Sequence, residues 1–105
     1  MNKYKVFRSF GNADKNIRMH ELVAVEYGDN IHEIEKQLMR IVTADASELP
    51  QYQSGYTATA YAPEPVEAYR KVKRYTYIIL AVLCPEFGEK NELIEYGIIE
   101  EPDGR

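Results

Sequence analysis

The chain has 105 residues, of which 45% are hydrophobic, 29% charged and 11% aromatic, and it carries a formal charge of −4. That length allows one domain with one modest core, and the composition is too apolar and too aromatic for a disordered chain. A single cysteine excludes an internal disulfide framework.

The longest uncharged apolar run, Tyr75 to Cys84, is about half of the ~20 residues a membrane-spanning helix requires. The opening Met-Asn-Lys-Tyr-Lys-Val has no apolar signal core. A single globular domain in the cytoplasm is expected, with no membrane contact and a short polar mobile tail from about residue 101.

The charges come in blocks. Residues 1–20 hold five cations and one anion, and residues 21–67 hold nine anions and two cations. Residues 68–77 contribute four cations, and residues 85–105 hold seven anions and two cations. Such blocks either form separate faces or sit on neighbouring strands that neutralise one another.

In chain order, residues 3–10 read as a strand in which Tyr4, Val6 and Phe10 share a parity that Arg8 interrupts. Residues 11–16 are turn chemistry. Residues 17–27 form a second strand with Ile17, Met19, Val23, Val25 and Tyr27 on one face and Glu21 as the exception, closing a hairpin. Asn30 and Glu33 have the spacing of a capping pair. After them Ile31, Ile34, Leu38, Ile41 and Val42 make one apolar stripe, which predicts a helix over about 30–43.

Residues 43–55 have no period and read as a long loop, a feature often tied to function. Residues 56–61 predict a short edge strand that ends at the Ala62-Pro63-Glu64-Pro65 turn. Residues 65–74 suit either a short helix or the start of a long strand, with the strand preferred and beginning before Tyr75. On that reading Tyr69, Tyr75, Tyr77 and Ile79 share a face with Lys71 and Lys73. Residues 75–84 are β-rich and apolar on both faces from Ile78, which predicts a central strand under the helix. Residues 93–100 pair with it antiparallel, and Gly97 within that strand signals a bulge or a close approach. The fold class is α+β: an antiparallel sheet of about five strands in the order β-β-α-β-β-β, with one helix packed on one face.

No reaction is specified. His20 and His32 are each followed by a glutamate, but the second histidine of a His-Glu-x-x-His metal pair is missing, so no metal and no cofactor is expected. Cys84 is a nucleophile only if a base and an electropositive setting stand beside it, and otherwise it is a packed thiol. The glycines stand singly, which excludes a phosphate loop, and no carboxylate pair is diagnostic, so no catalytic residue is assigned.

The least ordinary feature is tyrosine. Tyr69 and Tyr75 interleave with Arg70, Lys71, Lys73 and Arg74, while Tyr52, Tyr56 and Tyr61 surround the long loop and edge strand. Tyrosine and arginine are favoured at protein–protein contacts, and these nine residues are the expected partner-binding set. The function expected is that of a non-catalytic inhibitor or accessory factor acting through its surface on a larger protein. One form is a phage or mobile-element type directed at nucleic-acid-handling machinery.

Two alternatives stand beside it. One is nucleic-acid binding by residues 69–77, where cations track phosphates and rings stack on bases, set against the acidic pI near 5.2. The other is a small-molecule binder or enzyme with a pocket near residues 43–55 lined by Tyr52, Tyr56 and Tyr61, using His20 or Cys84. The edge at 56–61 also offers a homodimer contact.

Overall fold

The computed structural model describes residues 1–9, 20–49, 56–65, 75–85 and 92–104. Among them lie β1 (Asn2–Ser9), β2 (His20–Gly28), α1 (Glu35–Ser47), β3 (Tyr56–Ala60), β4 (Glu64–Pro65), β5 (Tyr77–Pro85) and β6 (Glu92–Glu101). The strands form one sheet in the order β2-β1-β6-β5-β3, with β4 also paired to β5, and every pairing is antiparallel. The α+β class and the element order match the sequence reading. No described helix is long and apolar enough to cross a membrane.

The two misfits in the hairpin's alternation explain each other. Arg8 of β1 and Glu21 of β2 are cross-strand partners and form an ion pair. Between Val6 and Phe7 the register shifts, so Val6 faces Ala24 while Phe7 faces Leu22. The extra residue is Val23, and it packs with Ala24 against the helix-side core. The expected face of Val23, Val25 and Tyr27 is therefore split. Val25 and Tyr27 stand opposite Lys5 and Lys3, and Tyr27 is exposed.

The helix starts later and ends later than its stripe predicts. Asn30 Oδ1 accepts the Glu33 N–H at 3.0 Å, and Glu33 Oε2 accepts the Asp29 N–H at 3.2 Å. The capping pair is thus made, but it closes a turn over residues 30–33 that leads into α1. At the other end α1 takes in Thr43 to Ser47, which the sequence reading gave to the loop. Ala46 and the following Leu49 continue the buried stripe of Ile31, Ile34, Leu38 and Val42. The stripe packs on Tyr4, Val6, Ala60, Ile79, Ala81, Ile94, Tyr96 and Ile98, which form the main core.

On the opposite face a smaller cluster of Tyr75 and Ile78 packs with Phe7, Leu80 and Ile99. The Tyr75 ring lies over Gly97 and 6.2 Å from the Phe7 ring. The register of β6 with both neighbours is unbroken there, so Gly97 marks a close approach and no bulge.

Three further expectations are corrected. The middle strand is β6. β5 is interior but lies one place nearer the edge, because β1 returns to pair with β6. β5 begins at Tyr77, after a bend at Thr76, where the Thr76 N–H bonds Ile98 O at 2.7 Å and its Oγ1 accepts the Glu100 N–H at 3.0 Å. That bend puts Tyr75 on the face away from Tyr77 and Ile79. The Ala62–Pro65 turn does not end the edge. Tyr61 N–H bonds Leu80 O at 2.9 Å, and Glu64 and Pro65 return to face Ile78 and Tyr77 as β4. At the C-terminus, Pro102–Gly104 form a tight turn in which Asp103 has φ 57° and its N–H reaches Asn2 Oδ1 at 3.4 Å. The expected loop at 11–16 and the uncertain stretch 66–74 fall outside the described residues.

A Cβ on Gly97 would enter the Tyr75 ring. Gly97→Ala is expected to destabilise the fold by about 1–3 kcal/mol in urea unfolding. In a Tyr75→Ala background the same change should cost much less. Equal costs in the two backgrounds would show that the ring is not what demands the glycine.

Candidate partner-binding surface

The helix is fixed over the sheet by one polar knot. Asp45 occupies an inward position of α1, three residues after Val42. Its Oδ1 and Oδ2 accept from Arg8 Nη1 at 3.0 and 2.9 Å, and Oδ2 also accepts from the Tyr96 hydroxyl at 2.6 Å. Arg8 Nη2 in turn donates to Glu21. Four groups from β1, β2, α1 and β6 thereby share one network. Burial works against the Arg8 charge, but Asp45 and then Glu21 outweigh it and hold the guanidinium above its ordinary pKa. Burial, followed by the hydrogen bond to Asp45, pushes the Tyr96 phenol up.

A second polar group sits at the other end of the same face. Burial chiefly, with the Glu100 carboxylate adding to it, pushes Tyr4 up to about 12. Burial and Glu100 push Tyr77 in the same direction. On the opposite face, burial alone raises the Glu95 carboxyl. Among the described residues no group of three His, Cys, Asp or Glu is placed to hold a metal ion.

With the helix seated in this way, a groove of about 540 Å³ opens between α1 and the edge strand β3. Lys36, Met39, Arg40, Thr43 and Ala44 form its helix wall, and Ala58 to Ala60 form its sheet wall. The groove exists because positions 58 and 60 carry alanine where bulkier β-branched residues would fill it. Lys36 and Arg40, one helical turn apart, are both exposed, and neither is in an ion pair among the described residues. A smaller hollow of about 220 Å³ lies at the β3–β4 break, lined by Tyr61, Ala62, Glu64, Ile78 and Leu80. The broken edge therefore borders both concavities.

Among the described residues β3 has a strand on one side only. The inward bond from the Tyr61 N–H fixes the alternation. Residues 59 and 61 direct their backbone groups toward β5, so Ala58 and Ala60 direct theirs outward.

The nine residues expected to bind a partner fare unevenly. Tyr61 is 55% exposed at the rim of the smaller hollow. Tyr56 opens β3 opposite Pro85. Tyr75 is 4% exposed and belongs to the interior of the open-face cluster. Tyr52, Tyr69, Arg70, Lys71, Lys73 and Arg74 lie outside the described residues. The groove residues were missed by sequence reasoning. Their signals were two cations at i, i+4 and alanines alternating along a strand. The charge blocks are partly neutralised between neighbours: Lys5 pairs with Glu101 at 2.7 Å, and Arg8 with Glu21 and Asp45. The basic block at residues 70–74 lies outside the described residues.

In comparison with known proteins, no family model, no curated protein and no solved structure matches the chain.

Two outcomes follow from the knot and the buried phenols. Asp45→Ala leaves a mostly buried guanidinium and a fully buried phenol without their shared acceptor. It should destabilise the fold by about 2–3 kcal/mol in chemical unfolding, while Thr43→Ala on the same helix costs far less.

Alkaline pH should also unfold the protein. The folded-state pKa of Tyr4 is raised from 10.0 to about 12. Its stabilising contribution is therefore complete below pH 10 and is lost as pH rises through 12. A Tyr4→Phe variant should show a shallower fall in unfolding free energy across that window than the wild type. An unchanged slope would remove Tyr4 from the alkaline transition.

Proposed function

We propose that this protein is a non-catalytic binding protein that acts as an inhibitor or accessory factor on a larger protein partner, with the α1–β3 groove as its contact surface. The observation that carries this reading is the groove itself, about 540 Å³, walled by a helix with two exposed cations and by an edge strand. Among the described residues it opens to solvent beside β3. A small-molecule site typically encloses about 70–90% of its ligand, and a trough beside a strand edge that is unpaired among the described residues suits a longer partner better.

The position of the groove supports the same reading. Thr43 and Ala44 border it, close to the segment where a functional loop was expected, but the lining comes from helix and strand rather than from tyrosines. Rigid elements hold such a surface in shape before binding, which lowers the ordering cost of association.

Ala44 is exposed on the helix wall, so Ala44→Glu changes the groove without opening the core. Affinity capture from cells expressing the protein, with wild type and Ala44→Glu as paired baits of matched circular dichroism, tests the reading. A partner retained by the wild type should be recovered about tenfold less on the variant, equivalent to ~1.4 kcal/mol. Equal recovery on both baits would place the contact elsewhere.

A further inference from the structure

The groove and the strand edge beside it have a common geometry that narrows the partner. We infer that the α1–β3 rim binds an extended, acidic peptide segment by strand addition, an inference that rests on the groove being the contact surface. The segment lies alongside β3 and exchanges backbone hydrogen bonds with the outward N–H and C=O groups of Ala58 and Ala60. Its alternate side chains then point to the helix face, where Met39, Ala44 and Ala58 offer an apolar floor. Carboxylates on the segment meet Lys36 and Arg40, the only charged residues lining the groove among the described residues.

The rest of the edge argues for a short docking register. The bulge around residues 61–63 interrupts the edge after Ala60, and Pro63 and Pro65 have no N–H to donate. Bulges and prolines are the devices by which edge strands refuse pairing. The N-terminal half of this edge has neither, so the addition is confined to the five residues of β3.

Charge also selects the partner over a second copy of the chain. Two β3 edges paired antiparallel around a two-fold axis would bring the Lys36–Arg40 walls of both copies to the same face, cation toward cation. A separate acidic segment is attracted where a second copy is repelled. The small side chain at 58, half-buried on the sheet wall, leaves room beside it in the groove, and a nucleic-acid strand has no backbone N–H to complete the ladder.

The test uses a fluorescein-labelled seven-residue peptide that alternates valine with glutamate, titrated with the full chain by fluorescence anisotropy. Saturable binding that weakens as salt rises is expected. Three changes should each weaken it about tenfold or more, or ~1.4 kcal/mol. These are N-methylation of the peptide amides on its pairing edge, Lys36→Glu with Arg40→Glu, and Ala58→Pro. The last removes an outward N–H and leaves the inward ladder to β5 intact.

If the peptide binds and Ala44→Glu weakens it while N-methylation has no effect, strand addition is overturned and the groove reading stands. If a lysine-for-glutamate peptide binds as tightly, the acidic specificity is overturned. If no peptide binds while Ala44→Glu still loses a captured partner, strand addition is again overturned and the groove is kept. A dimer on sizing that Ala58→Pro dissolves would overturn the acidic segment in favour of a second copy. Peptide binding that Ala44→Glu leaves unchanged overturns this inference and the groove reading together.

Discussion

Asp45 is the residue on which the arrangement of layers depends. Helix and sheet meet through an apolar stripe, and apolar contact is non-directional, so by itself it permits the helix to slide or rotate over the sheet. A carboxylate that must meet a guanidinium from β1 and a phenol from β6 permits one position only. Stripping water from that carboxylate carries a cost, which the charged bonds from Arg8 and the short bond from Tyr96 offset. The shared network is better read as fixing geometry than as adding stability, since buried ion pairs seldom outperform well-packed apolar residues of the same size.

The groove lies between that helix and β3. α1 runs closest to β3 and β5 and is tied back to the hairpin by Asp45 and by the Gln37–Glu26 hydrogen bond at 2.6 Å. Its flank lies against β3 and buries Ala60, and the groove is left beside the small side chains of that strand.

Much of the fold was legible because its signals are local. The hairpin, the helix stripe and the β5–β6 pair each follow from periodicity within some ten residues. What was misread depended on contacts distant in sequence. The last turns of α1 were taken for loop because Asp45 breaks the apolar stripe, and its partners Arg8 and Tyr96 are 37 and 51 residues away. β6 was not identified as the middle strand because Glu95, Gly97 and Glu100 make it look like a boundary. Its Gly97 is filled by the Tyr75 ring, and Glu100 lies beside Tyr4 and Tyr77. The surface was harder still. Large aromatic and charged residues attract attention, and Tyr75 drew it although its ring serves the interior. A groove is made by what is missing, and the two alanines that create it carry no signal until a helix is placed above them.

The sheet's edge gives the last constraint. A free strand edge is an aggregation hazard, and selection for solubility favours closing it. Here one half of the edge is closed by a bulge and two prolines while the adjoining half keeps an unbroken register of five residues against β5. General protection would have treated the halves alike. Among the described residues, an edge guarded in one half and open in the other, with cations beside the open half, restricts pairing by length and by charge. Those are the properties that the proposed strand-binding surface requires.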